Sequence, residues 1–320
     1  MSGEAASKEP VRVDFEFRRE LARKVEGTLA SFCYQCGACV GDCPATTYSD
    51  RFNPREIMLE VLYGLGDELI KEDSPLWLCT NCYNCHERCP QEVKPVEVII
   101  SLKNMLADRG ILPESARRIT ETFEKTGRTT PGGPAVDKQR ARFGLPPLAP
   151  VPVEEVQALL KPDAEAPEPL VQPGPRGDSK PSPVREGQKR YAFFPGCLIP
   201  ARHPAMESAI RSTLTNLGID IADLEGASCC PDPIYFKAKD KLDWLSVAAR
   251  NLTLAEEQGL DIFTNCSGCT ATLSETRHLL EDDELKEKVN GRLQRIGRHY
   301  DGTTRVKHVA ALLRDEVGYE

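Results

Sequence analysis

Two stretches of this chain carry eight of its thirteen cysteines. The first reads Cys33-Tyr34-Gln35-Cys36-Gly37-Ala38-Cys39 and runs on to Cys43-Pro44. The second reads Cys79-Thr80-Asn81-Cys82-Tyr83-Asn84-Cys85 and runs on to Cys89-Pro90. Both are C-x2-C-x2-C-x3-C-P, a spacing suited to a [4Fe–4S] cubane. Three thiolates so spaced line a tight loop that wraps one face of a cube, with backbone N–H groups turned toward its sulfides. The fourth Cys precedes a Pro that breaks the turn, points away and ligates the other cluster. Cys33, Cys36, Cys39 and Cys89 are therefore assigned to one cubane, and Cys79, Cys82, Cys85 and Cys43 to the other.

A lone CxxC is equally a zinc knuckle or a redox dithiol, and two pairs can make a zinc ribbon. Two complete ligand sets with both prolines in place set those readings aside. A disulfide framework does not suit a chain that nothing marks as secreted. The pattern resembles that of bacterial-type ferredoxins, which implies a two-cubane electron carrier. Tyr34 and Tyr83, inside the loops, are read as shields against water rather than reactive groups.

The rest of the composition narrows the setting. A length of 320 residues suggests two domains, and 40% hydrophobic residues suits packed cores. A net charge of −8 argues against a nucleic-acid partner. No apolar run approaches about 18 residues, so no membrane span is expected, and Met1 to Pro10 lacks a signal-peptide core. Thirteen cysteines then mean metal or redox work in a soluble, cytoplasmic protein of an anaerobe.

Helices must position the loops. Residues 14–31 read as an amphipathic helix leading into the first loop. Asn53 suits an N-cap and Pro54 the first helical position, with Ile57, Met58, Val61 and Leu62 giving one buried face. Pro95 to Arg109 repeats the scheme, with Gly110 as the stop. Such helical connections resemble the α-helical ferredoxin fold, here expected over 1–127. Between Arg128 and Gln188 lie thirteen of the twenty-five prolines and six glycines, a composition poor in material for a core. This stretch, 128–188, reads as a linker with a short docking helix at 154–160 and a tether over 161–188.

Residues 189–320 have α/β character. Strands are expected at Tyr191–Phe194, Ile219–Ala222 and Asp261–Thr264, and helices near 204–217, 242–258, 269–280 and 284–299. Strands alternating with helices predict a small parallel sheet whose loops present ligands at the strands' carboxyl ends. Each strand runs into a cysteine: Cys197 in Phe194-Pro195-Gly196-Cys197, then Cys229-Cys230-Pro231, then Cys266-Ser267-Gly268-Cys269. Taken alone, these five are also compatible with small buried hydrophobes, a dithiol or half of a zinc site.

The five-cysteine pattern resembles the cysteine-rich CCG motif of the B-type subunit of heterodisulfide reductase, and the N-terminal loops and helices resemble its C-type subunit. Similar fusions resemble the catalytic subunit of the membrane-linked enzyme and related proteins of sulfur metabolism. The resemblance implies an α + α/β protein: an α-helical ferredoxin domain, a Pro-rich linker, and an α/β CCG domain. It implies a noncubane [4Fe–4S] cluster on Cys197, Cys229, Cys230, Cys266 and Cys269, with zinc as the alternative. It implies an oxidoreductase acting on sulfur groups, with electrons arriving from a flavin- and cluster-bearing A-type subunit. They would pass through the cubanes to a disulfide like that of coenzyme M and coenzyme B, cleaved at the CCG cysteines. The B-type subunit resembles two tandem CCG domains and this sequence has one, so a second subunit or second copy is expected to supply the other half. A pure electron relay, or an adaptor whose CCG domain binds zinc, are the alternative functions. His203, His278, His299 and His308 are possible proton donors, with His203 nearest Cys197 in sequence. Lys237, Lys239 and Lys241 read as a solvated face able to attract an anion.

Overall fold

A computed structural model describes residues 12–24, 30–161 and 189–318. The chain divides into two compact units, Met1–Glu114 and Ser115–Glu320.

The first unit is helical. The helix Pro54–Tyr63 starts where its sequence says it should: the Asn53 side chain accepts from the N–H groups of Arg55 and Glu56, and Pro54 needs no donor. Gly64 ends it in the left-handed region at φ 72, where a Cβ would lie 2.5 Å from the carbonyl oxygen of Asp14. The helix Pro95–Asp108 packs Val98, Ile99, Leu102 and Leu106 against Ile57, Met58, Val61 and Phe52. Phe17 and Leu21 of the helix Phe15–Lys24 close the same core. Each such side chain contributes about 1.5–3 kcal/mol by leaving water. Cys43 and Cys79 are part of this core, whereas Cys85 packs with Val96 and Ile100. The cysteine loops are thereby fastened to one helix bundle.

The second unit holds a four-stranded parallel sheet in the order β2-β1-β3-β4. The strands are β1 Arg190–Phe193, β2 Asp220–Asp223, β3 Ile262–Thr264 and β4 Val306–His308. The register pairs Phe193 with Asp223 on one side and with Phe263 on the other. The order in which the chain adds strands reverses between β1 and β3, and the crevice at such a switch point is where ligands sit in open α/β sheets. The helix Lys241–Glu256, capped by Asp240 accepting from the N–H of Asp243, is buried along most of its length. Trp244, Leu245, Ala248 and Leu252 form the centre of this core with Phe194, Phe236 and Ile262.

The second unit also takes in residues that composition assigned elsewhere. The helix Glu114–Thr126 contributes Phe123 to its core, and the helix Val153–Leu160 contributes Val156 and Leu159. The helix Pro134–Ala141 is held by Arg140, whose guanidinium makes a two-pronged buried pair with Glu207 at 2.6 and 3.2 Å. Much of 128–161 is thus packed structure, because ion pairs and a few apolar side chains offset what its prolines and glycines lack. Apart from Lys161, the tether expected over 161–188 lies outside the described residues.

Candidate iron–sulfur and cysteine-rich sites

The eight N-terminal cysteines line two cavities. Cys33, Cys36, Cys39 and Cys89 border one, with Gly37, Met58, Val93 and Pro95. Cys79, Cys82, Cys85 and Cys43 border the other, with Phe52, Tyr83, Val96 and Ile99. Three cysteines of one loop thus share each cavity with the fourth of the other loop. The two loops also repeat one backbone conformation. Gln35 and Asn81 have φ 56 and 51, and Gly37 and Tyr83 have φ 82 and 64. A left-handed Tyr is an uncommon strain, and alternation of this kind turns successive N–H groups to one side as an anion-binding nest.

Hydrogen bonds to sulfur complete the arrangement. The N–H of Val93 donates to Cys89 Sγ at 3.4 Å, and the Gln35 amide donates to Cys33 Sγ at 3.3 Å. Burial pushes the Cys85 thiol up to about 12 and the Cys39 thiol up to about 11, each with neighbouring sulfurs adding to the effect. Burial also raises Cys79, while the positive charge of Lys103 opposes the rise. Soft sulfur donors, apolar walls and an N–H nest suit an anionic iron–sulfur group.

In the second unit all five remaining cysteines stand in one chain of contacts at the carboxyl edge of the sheet. Cys229 Sγ lies 3.4 Å from Cys197 Sγ. Cys229 also neighbours Cys230, Cys230 neighbours Cys269, and Cys269 neighbours Cys266, each close enough to perturb the next thiol. The bond from Cys269, with the N–H groups of Cys269 and Gly268, draws the Cys266 thiol down to about 6 against burial. Cys197 is pushed far above its usual range, first by its bond with Cys229 and then by burial. Gly196 at φ 71 leaves room for this, since a Cβ there would sit 2.8 Å from Cys269 Sγ. Beside Cys266, both polar atoms of the Asn265 amide are buried with no hydrogen-bond partner among the described residues, as expected for a side chain facing a bound group.

Several supporting residues went unrecognised in the sequence. The Thr129 hydroxyl lies 3.1 Å from Cys197 Sγ and 3.6 Å from Cys229 Sγ. The N–H of Cys229 donates to the carbonyl of Gly127 at 2.8 Å. Asn251 is fully buried; its amide donates to the Cys229 carbonyl at 3.0 Å and its oxygen accepts from the N–H of Ser228 at 3.0 Å. A polar pair, Arg250-Asn251, inside the apolar run of Lys241–Glu256 was the one available signal. His308, at the end of β4, caps the helix Val309–Glu316, its Nδ1 accepting from the N–H of Ala310 at 3.3 Å. His203 is exposed at the start of the helix Pro204–Asn216, and His278 is exposed beside Glu281. Lys237 is not a solvated side chain: it is buried against Glu275 and faces the Trp244 ring at 5.2 Å.

These two sites define an iron–sulfur protein of two modules. Residues 29–93 match the 4Fe-4S dicluster domain family and residues 191–274 match the cysteine-rich domain family CCG. Over 162 residues the chain is 36% identical to the C-type iron–sulfur subunit of the CoB–CoM heterodisulfide reductase of Methanopyrus kandleri, covering 46% of this chain and 82% of that protein. Over 132 residues it is 40% identical to the B-type subunit of the ferredoxin:CoB–CoM heterodisulfide reductase of Methanosarcina mazei, covering 41% of this chain. The same share is covered, at 42% identity, by an Archaeoglobus profundus protein described as like the B-type subunit of heterodisulfide reductase. The chain belongs to the heterodisulfide reductase family, joining a C-type part to a B-type part. It spans 44% of the length of these B-type relatives. A crystal structure of a hypothetical protein from Helicobacter pylori shares the fold, with a TM-score of 0.54 at 14% identity over 96% of this chain and 50% of that one. No helix among the described residues is long and apolar enough to cross a membrane.

Proposed function

We propose that this chain is the subunit of a heterodisulfide-reductase-type complex that carries electrons from a flavin- and cluster-bearing partner to a disulfide like that of coenzyme M and coenzyme B. The observation that carries the reading is the grouping of sulfurs: three and one around each N-terminal cavity, and five in one string at the sheet's switch point. Cys33, Cys36, Cys39 and Cys89 would hold one cubane and Cys79, Cys82, Cys85 and Cys43 the other. Cys197, Cys229, Cys230, Cys266 and Cys269 would hold a noncubane cluster. When bound, the cubanes supply one-electron transfer and the third group an iron able to take a substrate sulfur.

The chain's own residues do the rest. Phe52, Met58 and Val93 exclude water from the N-terminal cavities, and the left-handed residues aim N–H groups at their contents. Thr129 steadies the Cys197 and Cys229 sulfurs, while Gly127 and Asn251 hold the backbone of Cys229. Cleavage of a disulfide to two thiols consumes two electrons and two protons.

The test is anaerobic iron and sulfide analysis of the full chain with an assay of disulfide reduction from a viologen donor. Three clusters require about twelve irons and two require about eight. About eight irons, or twelve with no reduction even when a second CCG-bearing subunit is added, would count against the proposal.

A further inference from the structure

The helix Pro95–Asp108 buries ten residues, of which Ser101 and Lys103 are the polar ones. Lys103 is fully buried. Its ammonium donates to the carbonyl oxygen of Cys79 at 2.7 Å and to Asn81 Oδ1 at 3.0 Å, and lies 5.6 Å from the Trp77 ring centroid. The same Asn81 oxygen accepts from Cys79 Sγ at 3.6 Å. Taking a cation out of water is costly, and a leucine would satisfy the apolar surroundings of this helix at lower cost. The charge therefore has work to do beside the second loop.

We propose that Lys103 is a positioning residue that raises the reduction potential of the group held by Cys43, Cys79, Cys82 and Cys85. This rests on reading that cavity as a cubane site. Reduction there adds one electron and no proton, so the site's charge falls by one. A fixed cation in a low-dielectric surrounding stabilises the more negative state more than the less negative one. Burial acts the other way: Cys43, Cys79 and Cys85 are buried, and an enclosed site resists added negative charge. Lys103 offsets that resistance. Its hydrogen bond to Asn81 Oδ1 also braces that residue in the left-handed conformation at φ 51 that the loop requires.

The other cavity is built differently. Cys33, Cys39 and Cys89 are only half-buried, and among the residues lining that cavity is Arg55, which is exposed and whose Cδ lies 3.8 Å from where a Cβ on Gly37 would be. Water and salt screen such a charge. The two sites thus reach their potentials by unlike means, one by solvent exposure and one by an internal cation.

The experiment is an EPR-monitored redox titration of the full chain, anaerobically reconstituted, with iron content measured on every sample. In Lys103→Gln, which keeps a hydrogen-bond donor and removes the charge, one midpoint moves to lower potential and the others stay. Lys103→Arg, which keeps the charge, leaves that midpoint near its original value. Cys82→Ala identifies the affected signal by abolishing it. Unchanged midpoints in a fully iron-loaded Lys103→Gln overturn the proposal, as does an equal shift of all of them. Should Lys103→Gln lose the signal, retention in Lys103→Arg supports the need for charge, and loss in both makes Lys103 a packing residue and ends the idea. If the signal survives Cys82→Ala in the otherwise native chain, the cubane reading of that cavity fails instead.

Discussion

Thr129 places its hydroxyl 3.1 Å from the sulfur of Cys197, although 68 positions of sequence separate the two residues. A hydroxyl donor steadies a thiolate and makes it less electron-rich. Thr129→Val keeps the shape and removes the donor, so the group on the C-terminal cysteines should become harder to reduce while the N-terminal signals hold. The lost bond costs about 0.5–1.5 kcal/mol. Redox titration of the variant checks this, and an unmoved midpoint would show the hydroxyl to be a bystander.

Crossed ligation makes a second prediction. Cys43 borders the cavity of Cys79, Cys82 and Cys85, and Cys89 borders that of Cys33, Cys36 and Cys39. Cys43→Ser should damage the cluster of the second loop and Cys89→Ser that of the first. Spectra of the two variants should be complementary. Damage confined to the loop nearest in sequence would contradict the arrangement.

Gly196 offers a test of the C-terminal site without touching a sulfur. Gly196→Ala forces a side chain into the left-handed region, at roughly 1–2 kcal/mol, and drives its Cβ to 2.8 Å from Cys269 Sγ. Iron bound by the C-terminal cysteines should fall sharply while iron in the N-terminal part is retained. Full iron in this variant would mean that Cys269 can move freely and is not a fixed member of the site.

Asn251→Leu should destabilise the second unit. It strips the partner from the buried N–H of Ser228 and removes one of two donors to the carbonyl of Cys229, which keeps the Ser228 hydroxyl. The N–H so orphaned costs about 1–3 kcal/mol. Chemical denaturation followed by the fluorescence of Trp244 would register the loss.

Cofactor loading should depend on pH with a definite sign. Burial holds the thiols of Cys85 and Cys39 protonated, up to about 12 and about 11. Each must release its proton to become a ligand, so protons compete with iron throughout the neutral range. Loading of the apoprotein strengthens as pH rises and weakens as it falls. Anaerobic reconstitution at about pH 6.5 and about pH 8.5, scored by iron per chain, should favour the higher value. Equal loading at both would mean these thiols are already ionised.

The grouping of the cysteines about two cavities and one sheet edge was legible because spacing within a loop is a local property. The strands β1, β2 and β3 were legible within a residue or so, since short apolar runs between turn signals are local too. The strand Val306–His308 escaped notice: three half-buried residues at a sheet edge carry no periodicity. Pro134–Ala141 escaped because its stability comes from Arg140 meeting Glu207, a partner far along the chain. Thr129 and Asn251 escaped for the same reason, since nothing near them in sequence marks a sulfur neighbour. Nothing local in the sequence marks Lys103 as interior, and only packing reveals it.

The parallel sheet has a consequence for how such a protein comes into being. Cys197, Cys229 and Cys266 follow three different strands, and parallel strands pair only after long intervening segments are made and folded. A nascent chain therefore presents five unligated thiols for as long as the sheet is incomplete. Newly synthesised protein is exposed to oxidants in that interval, before a bound group can shelter the sulfurs.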